Sequence, residues 1–267
     1  MTRRAVEALA CAAIAAALAL SPGQAAAPGS KLLAAIDLAK PFGTRSAWRF
    51  TAVQAPDEND PDFGLQPGAI TACLKRAADK ACAALGNLKS TFASGYEIGW
   101  GPHYLRAARV VYPRGKAAPP LLLLQTASEL SANGNAAEYT HILAYRPASD
   151  RFEPIFNQVV GHNNNEEIRF IDSGRLRGDV IVVAPVEHSP WGYWVTVHRL
   201  DPSYRYRQIL RYRSATQYAD NNRLAVIDSE MPNIQHRLGI WRPGQPLPLP
   251  AKGCAKPRLV KMELWCS

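Results

Sequence analysis

Beyond Leu20 no stretch of the chain approaches the ~20 consecutive apolar residues that cross a bilayer, so no membrane-spanning helix is expected. The six histidines include no H-x-x-x-H or H-E-x-x-H pair, which leaves metal-assisted hydrolysis without its usual ligand spacing. G-x-S-x-G is missing from the mature chain, and with it the strained turn that presents a nucleophilic serine. Cysteine is scarce, five residues in 267. None of the five stands in C-x-x-C, so a four-cysteine zinc site is not expected. Nothing in the chain signals a cofactor, and none is expected.

What is present begins with a leader. Thr2-Arg3-Arg4 supplies a positive n-region, Ala5 to Leu20 an apolar core, and Ser21-Pro22-Gly23-Gln24 a break before Ala25 to Ala27. That order of features predicts a signal peptide over 1–27 and a soluble exported protein, periplasmic or secreted. Removing the leader discards Cys11 and leaves Cys73, Cys82, Cys254 and Cys266. An even count in an exported protein predicts disulfides, and the spacing predicts two local pairs, Cys73 with Cys82 and Cys254 with Cys266. The net charge is +9 and the leader carries two Arg and one Glu, so the mature chain keeps +8. For an exported protein that charge points to anionic envelope polymers, lipid head groups or another envelope protein as partners, ahead of nucleic acid.

Between Leu121 and Asp228 one four-strand pattern is written twice. The first copy runs Leu121 to Leu124, Thr140 to Tyr145, Arg151 to Phe156 and Glu167 to Asp172; the second runs Val180 to Val183, Trp194 to Val197, Tyr204 to Tyr212 and Arg223 to Asp228. Phe152, Ile155 and Phe156 fall on Tyr206, Ile209 and Leu210 at an offset of 54, and the closing Ile-Asp pairs fall 56 apart. A period of this length holding several strands predicts an all-β fold of repeated four-strand antiparallel units, arranged like a propeller, with a β-sandwich as the fallback.

The flanks are read more locally. Residues 28–46 form an N-terminal arm in which Ser30 caps a helical turn through Leu32, Leu33, Ile36 and Leu38; residues 47–267 form a single all-β repeat domain. Trp48 to Gln54 alternates as a strand. Ala69 to Arg76 and Lys80 to Ala84 are predicted to pair across a turn at Ala77-Ala78. A helix there would separate Cys73 and Cys82 by about 13 Å, roughly twice the reach of a disulfide. Asn87 to His103 lacks a period and reads as loop, and Leu105 to Tyr112 reads as a strand, which makes Trp48 to Tyr112 a candidate third copy. Gln235 to Trp241 and Arg258 to Trp265 read as closing strands.

The run Arg177-Gly-Asp-Val-Ile-Val-Val-Ala-Pro185 resembles the FG-GAP type of propeller repeat, whose units carry a Gly-Asp step into an apolar strand followed by proline. The resemblance covers the two copies and implies a propeller-like scaffold used for binding. It does not extend to calcium, because Asn163-Asn164-Asn165-Glu166 and Asp220-Asn221-Asn222 lack the alternating carboxylates of the calcium loop.

Three stretches carry candidate binding residues. His162, Asn164 and Glu166 lie in the most polar turn, matched in the second copy by Tyr218 to Arg223, and two such turns on one rim would make a ligand or cation site. Turn chemistry alone asks for the same residues, since Asn and Asp tolerate positive φ. His188, Trp191 and Tyr193 offer aromatic faces to a sugar, or simply cover a strand end. In Tyr204 to Arg213 a period of two puts Arg205, Arg207, Arg211 and Arg213 on one face and the tyrosines on the other. Such a cationic ladder would bind phosphate or carboxylate polymers, or discourage edge pairing. The expected function is a non-catalytic exported binding or interaction protein. The alternative is a hydrolase of an envelope polymer using Glu166, Glu167, Glu187 and Asp220.

Overall fold

The computed structural model describes residues 29–266 except 83–84, 86–87, 93, 132–134, 162–164 and 187–191. The expected leader, residues 1–27, therefore lies outside the described residues. β1 (Lys31–Asp37), a single helical turn α1 (Ala39–Phe42) and β2 (Trp48–Gln54) come first. A small hairpin of β3 (Glu58–Asp60) and β4 (Gly64–Gln66) then leads to β5 (Ile70–Arg76), and β1, β2 and β5 make an antiparallel sheet in that order. The short strands β6 (Lys89–Thr91) and β7 (Glu97–Gly99) precede a meander of β8 (Tyr104–Val111), β9 (Leu121–Ala127), β10 (Ala137–Arg146) and β11 (Arg151–Gly161). The six form one sheet, ordered β7-β6-β11-β10-β9-β8. A second meander follows in chain order, β12 (Glu167–Phe170), β13 (Val180–Pro185), β14 (Gly192–Leu200) and β15 (Tyr206–Gln217). Helix α2 (Val226–Arg237) and the hairpin of β16 (Arg258–Val260) and β17 (Glu263–Trp265) end the chain. The fold is thus mainly β, and its sheets are open.

The two apolar runs show how these layers are stacked. Leu122 and Leu124 pack with Trp48, Phe50, Ile70 and Leu74 of the first sheet, whereas Leu121 and Leu123 pack with Phe170, Val180 and Val182 of the third. In turn Ile181 and Val183 pack with Val226, Ile227 and Ile234 of α2. Successive side chains of a strand point to opposite faces. A strand covered on both faces therefore has no place for polar alternation and reads as continuous Leu or Val. The order of layers is first sheet, second sheet, third sheet, helix. Among the described residues no helix is long and apolar enough to cross a membrane.

Several sequence expectations are corrected. The arm residues Leu32, Leu33 and Ile36 lie in strand β1, paired antiparallel to β2, and not in a turn of helix. The helical turn comes later, opened by the Asp37 carboxylate on the Ala39 N–H (2.9 Å) and closed by Gly43 at φ +57°. Residues 89–91 and 97–99 pair as strands where a loop was expected. β5 pairs with β2, and the stretch after Asp79 contributes no strand to it among the described residues. The expected strands over 223–228 and 235–241 give way to α2, which begins at Val226 and ends before Gly239 (φ +68°). Trp48 to Tyr112 is not a four-strand unit, because β2 and β5 belong to one sheet and β8 to the next.

The phase of the pattern shifts as well. Spacing groups β9 to β12 and begins again at β13, while hydrogen bonding groups β8 to β11 and β12 to β15. A period fixes the length of a unit and says nothing of where the unit starts. Within each meander the fourth strand carries an extra residue against the third, Ile155 opposite Ile142 and Leu143, and Ile209 opposite Val197 and His198.

Both expected cysteine pairs are within bonding distance, with Cα separations of 5.1 Å for Cys73–Cys82 and 5.2 Å for Cys254–Cys266. The second closes the chain around the β16–β17 hairpin. Reducing it should cost about 3 kcal/mol by chain entropy, read as a lower urea midpoint with dithiothreitol. A Cys254→Ser/Cys266→Ser protein that matched wild type would remove that role.

Candidate functional site

Alternate connections of the meanders gather at one end. The ends of β9, β11, β13 and β15 lie there, with the described residues Asn165 and Glu166 of the first polar turn and Tyr218 to Arg223 of the second. Tyr193 ties them together: its hydroxyl receives the Asn165 side-chain amide (3.5 Å). Burial pushes the phenol pKa up, with further contributions from Asp220, Tyr218 and Glu166 nearby. Tyr193 is fully buried, so its ring offers no face to a sugar. Glu166 turns inward, and its carboxylate accepts the Gly161 N–H (2.9 Å) while burial raises its pKa. A Cβ on Gly161 would stand 2.8 Å from that carboxylate, which is why glycine suits the position. His162, Asn164, His188 and Trp191 lie outside the described residues.

Asp220, Glu167 and Asp228, also at this end, are engaged, while Glu187 lies outside the described residues. Asp220 caps its own turn through the N–H groups of Gln217 and Asn222, and Asn221 adopts φ +67°. Glu167 grips Arg169 (2.5 Å), whose guanidinium also reaches Asp228 at the start of α2 (2.6 Å). Among the described residues no three His, Cys, Asp or Glu side chains gather as a metal site.

The arginine strand differs from its expectation. The bulge at Ile209 reverses the faces of β15, so Tyr206 packs toward the second sheet while Leu210 and Tyr212 pack toward α2. Arg207 and the pair Arg211 and Arg213 therefore point to opposite faces, and no four-membered ladder exists. Arg207 pairs with Asp201 (3.2 Å), and Asp201 also accepts the Arg205 N–H. Arg211 lies over the ring of Trp194, 4.6 Å from its centroid. Arg213 stands directly across from Trp194 in the register. Among the described residues neither Arg211 nor Arg213 has a carboxylate partner.

The Gly-Asp step has a structural reason. Gly178 takes φ +86°, with Pro113 so near that a Cβ would stand 2.7 Å from it, and its carbonyl accepts the Tyr206 hydroxyl (2.9 Å). Asp179 is buried and bound in bidentate fashion by Arg199 (2.7 and 3.0 Å).

A cleft of about 610 Å³ was not signalled by the sequence. It runs between the β12–β13 connection, the outer side of α2 and the proline-rich segment 243–250. Trp241, Leu176 and Met231 form its floor, and the Trp241 indole N–H donates to the Pro246 carbonyl (2.9 Å). These residues are far apart in the chain, and only an apolar character at each point was there to be read. Compared with protein-family models, curated proteins and solved structures, the chain matches none.

Proposed function

We propose that this is an exported, non-catalytic binding protein of the cell envelope, built on a propeller-like scaffold, that holds an anionic polymer at the exposed β14–β15 edge of the third sheet. The observation that carries the reading is the pair Arg211 and Arg213 beside Trp194, free of carboxylate partners among the described residues. A guanidinium lying on an indole keeps its planar N–H edge available for phosphate or carboxylate. Seating both arginines on a paired strand lowers the ordering cost of binding.

The scaffold part of the proposal draws on three features. Sheets stack face to face in chain order, the bulges at Ile155 and Ile209 stand 54 residues apart as their sequence offset requires, and α2 covers the face where a further sheet would pack. The resemblance to FG-GAP repeats belongs with this part, since Gly178 and Asp179 form the turn into β13. Export draws on the leader and on the two disulfides.

Each guanidinium–anion contact is worth about 1.5–3 kcal/mol. Arg211→Ser/Arg213→Ser should therefore weaken salt-sensitive binding to a sulfated polysaccharide such as heparin by on the order of 100-fold. Arg205→Ser/Arg207→Ser should change it little, because Asp201 already neutralises that end of the strand. Equal retention of the first variant and wild type on a heparin column would end the reading. A hydrolase remains a second reading on one observation, the inward Glu166 with its raised pKa. Glu166→Gln with unchanged turnover of envelope polymers would dispose of it.

A further inference from the structure

We propose that the cleft beside β12 is a peptide-binding groove, which takes an extended, uncharged segment of another polypeptide as an added strand. This goes beyond the anionic face on β15, which lies at the opposite edge of the same sheet.

The first argument is backbone chemistry. β12 is an edge strand, bonded on one side to β13. The Ile171 N–H donates to the Asp179 carbonyl (2.9 Å), so Ile171 and, by alternation, Arg169 turn their backbone groups toward β13. Ile168 and Phe170 must then turn theirs outward. The Ile168 carbonyl confirms this, since it accepts the Gln125 side chain from the neighbouring sheet (3.2 Å). The outward groups of Phe170 have no such partner among the described residues. Across the cleft, the segment Pro248 to Pro250 gives a second wall, and neither the Leu249 N–H nor the Pro248 and Leu249 carbonyls make a hydrogen bond among the described residues. Two walls of unpaired main chain around an apolar floor suit a guest that brings its own alternating N–H and C=O groups.

Charge selects against ionic guests. The cleft is lined by Arg169 and Arg175 and by Asp172 and Asp228, two of each sign. Arg169 is held by Glu167 and Asp228, Asp172 by Arg109 (2.7 and 2.8 Å), and Arg175 donates to the Ile240 carbonyl. The Gln235 amide stays free among the described residues and offers both a donor and an acceptor. Leu249, about half exposed at 49%, is the apolar side chain left waiting for cover.

The test is selection of random dodecapeptides displayed on phage against the full mature protein. Enriched peptides are expected to be uncharged and apolar at alternate positions. Their synthetic forms should lose at least 10-fold in affinity when alternate amides are N-methylated, which removes strand pairing and keeps the side chains. Leu249→Glu, a surface change that leaves the fold alone, should weaken them similarly, and the Phe170 amide should slow in hydrogen exchange on binding. Arg211→Ser/Arg213→Ser should bind them as wild type does, which separates this groove from the anionic face. Failure to enrich any peptide, or enriched peptides indifferent to Leu249→Glu or to N-methylation, would overturn the proposal.

Discussion

Between pH 6.5 and pH 4 the protein is expected to lose roughly 5 kcal/mol of stability to two buried imidazoles. His141 is fully buried, edge-on to Trp100 (5.2 Å) and stacked near Tyr139 (6.4 Å); its Nε2 meets Ser90 Oγ at 3.2 Å and its Nδ1 meets no partner among the described residues. His198 lies against Phe156 (5.3 Å), and its Nε2 is likewise buried without a partner. Burial holds the pKa of each at about 4, against 6.5 in an exposed ring. The depressed pKa fixes the sign. Above pH 6.5 both rings are neutral folded or unfolded and the full stability is present; as pH falls toward 4 the unfolded chain takes up protons that the folded chain refuses. The gap is worth about 3 kcal/mol for His141 and less for His198, whose ring is only half-buried. Glu166 and Glu263 act with the opposite sign, because burial raises both, and they return part of the loss as pH falls from their raised values to the ordinary carboxylate value. Urea unfolding at pH 7.5 and pH 4.5 measures the difference. His141→Leu/His198→Leu should flatten it, and a wild-type protein equally stable at both values would contradict the burial of these rings.

Much of the stacking was legible because two-sided burial leaves a mark. Leu121 to Leu124 and Val180 to Val183 are apolar at every position, as strands with a layer on each face must be. The disulfides were legible for a geometric reason, since Cys73 and Cys82 can meet only if the chain turns back between them. Helix α2 was hidden by the offset that revealed the strands. Alignment of Ile227-Asp228 with Ile171-Asp172 argued for strand, although Ile227, Met231, Ile234 and Leu238 recur at helical spacing and Gly239 supplies a left-handed stop. Beside β15 a helix covers apolar surface as well as another sheet would, so local composition did not decide between them.

The arginine strand was less legible, because its spacing fits an unbroken alternation. One extra residue, Ile209, turns Arg211 and Arg213 to the side opposite Arg207, and no local signal in Arg207-Gln-Ile-Leu-Arg211 marks the bulge. What marks it is the partner strand, where Val197 and His198 are adjacent and face residues that are not. The cleft had no signal of its own, since its walls come from β12, α2 and the proline-rich segment and only packing brings them together.

Glu230→Ala is expected to destabilise the protein by about 3–5 kcal/mol, as loss of one partner from a buried charged network does. Its carboxylate has no exposure and collects five hydrogen bonds. Oε1 accepts the Ala215 and Thr216 N–H groups (both 3.1 Å) and the Thr216 hydroxyl (2.9 Å), and Oε2 accepts the Tyr212 hydroxyl (2.7 Å) and the Asn233 amide (2.9 Å). Four of the five come from the end of β15, where the main chain leaves the ladder and would otherwise hold buried N–H groups without acceptors. One side chain thereby fixes α2 on the third sheet, while Arg237 covers Tyr212 (4.3 Å to the ring centroid) and is itself placed by Asn233 Oδ1 (3.0 Å). Alanine would remove the acceptor of all five, and among the described residues only the Thr216 hydroxyl has another partner, Ser229 Oγ at 3.2 Å. Glutamine keeps the shape and one oxygen but turns an amide toward Tyr212 and Asn233, so Glu230→Gln should cost less, about 1–3 kcal/mol. Urea unfolding at neutral pH orders the two variants. If Glu230→Ala unfolded within 1 kcal/mol of wild type, α2 would owe its place to the contacts of Val226, Ile227 and Ile234 alone, and the carboxylate would be a passenger.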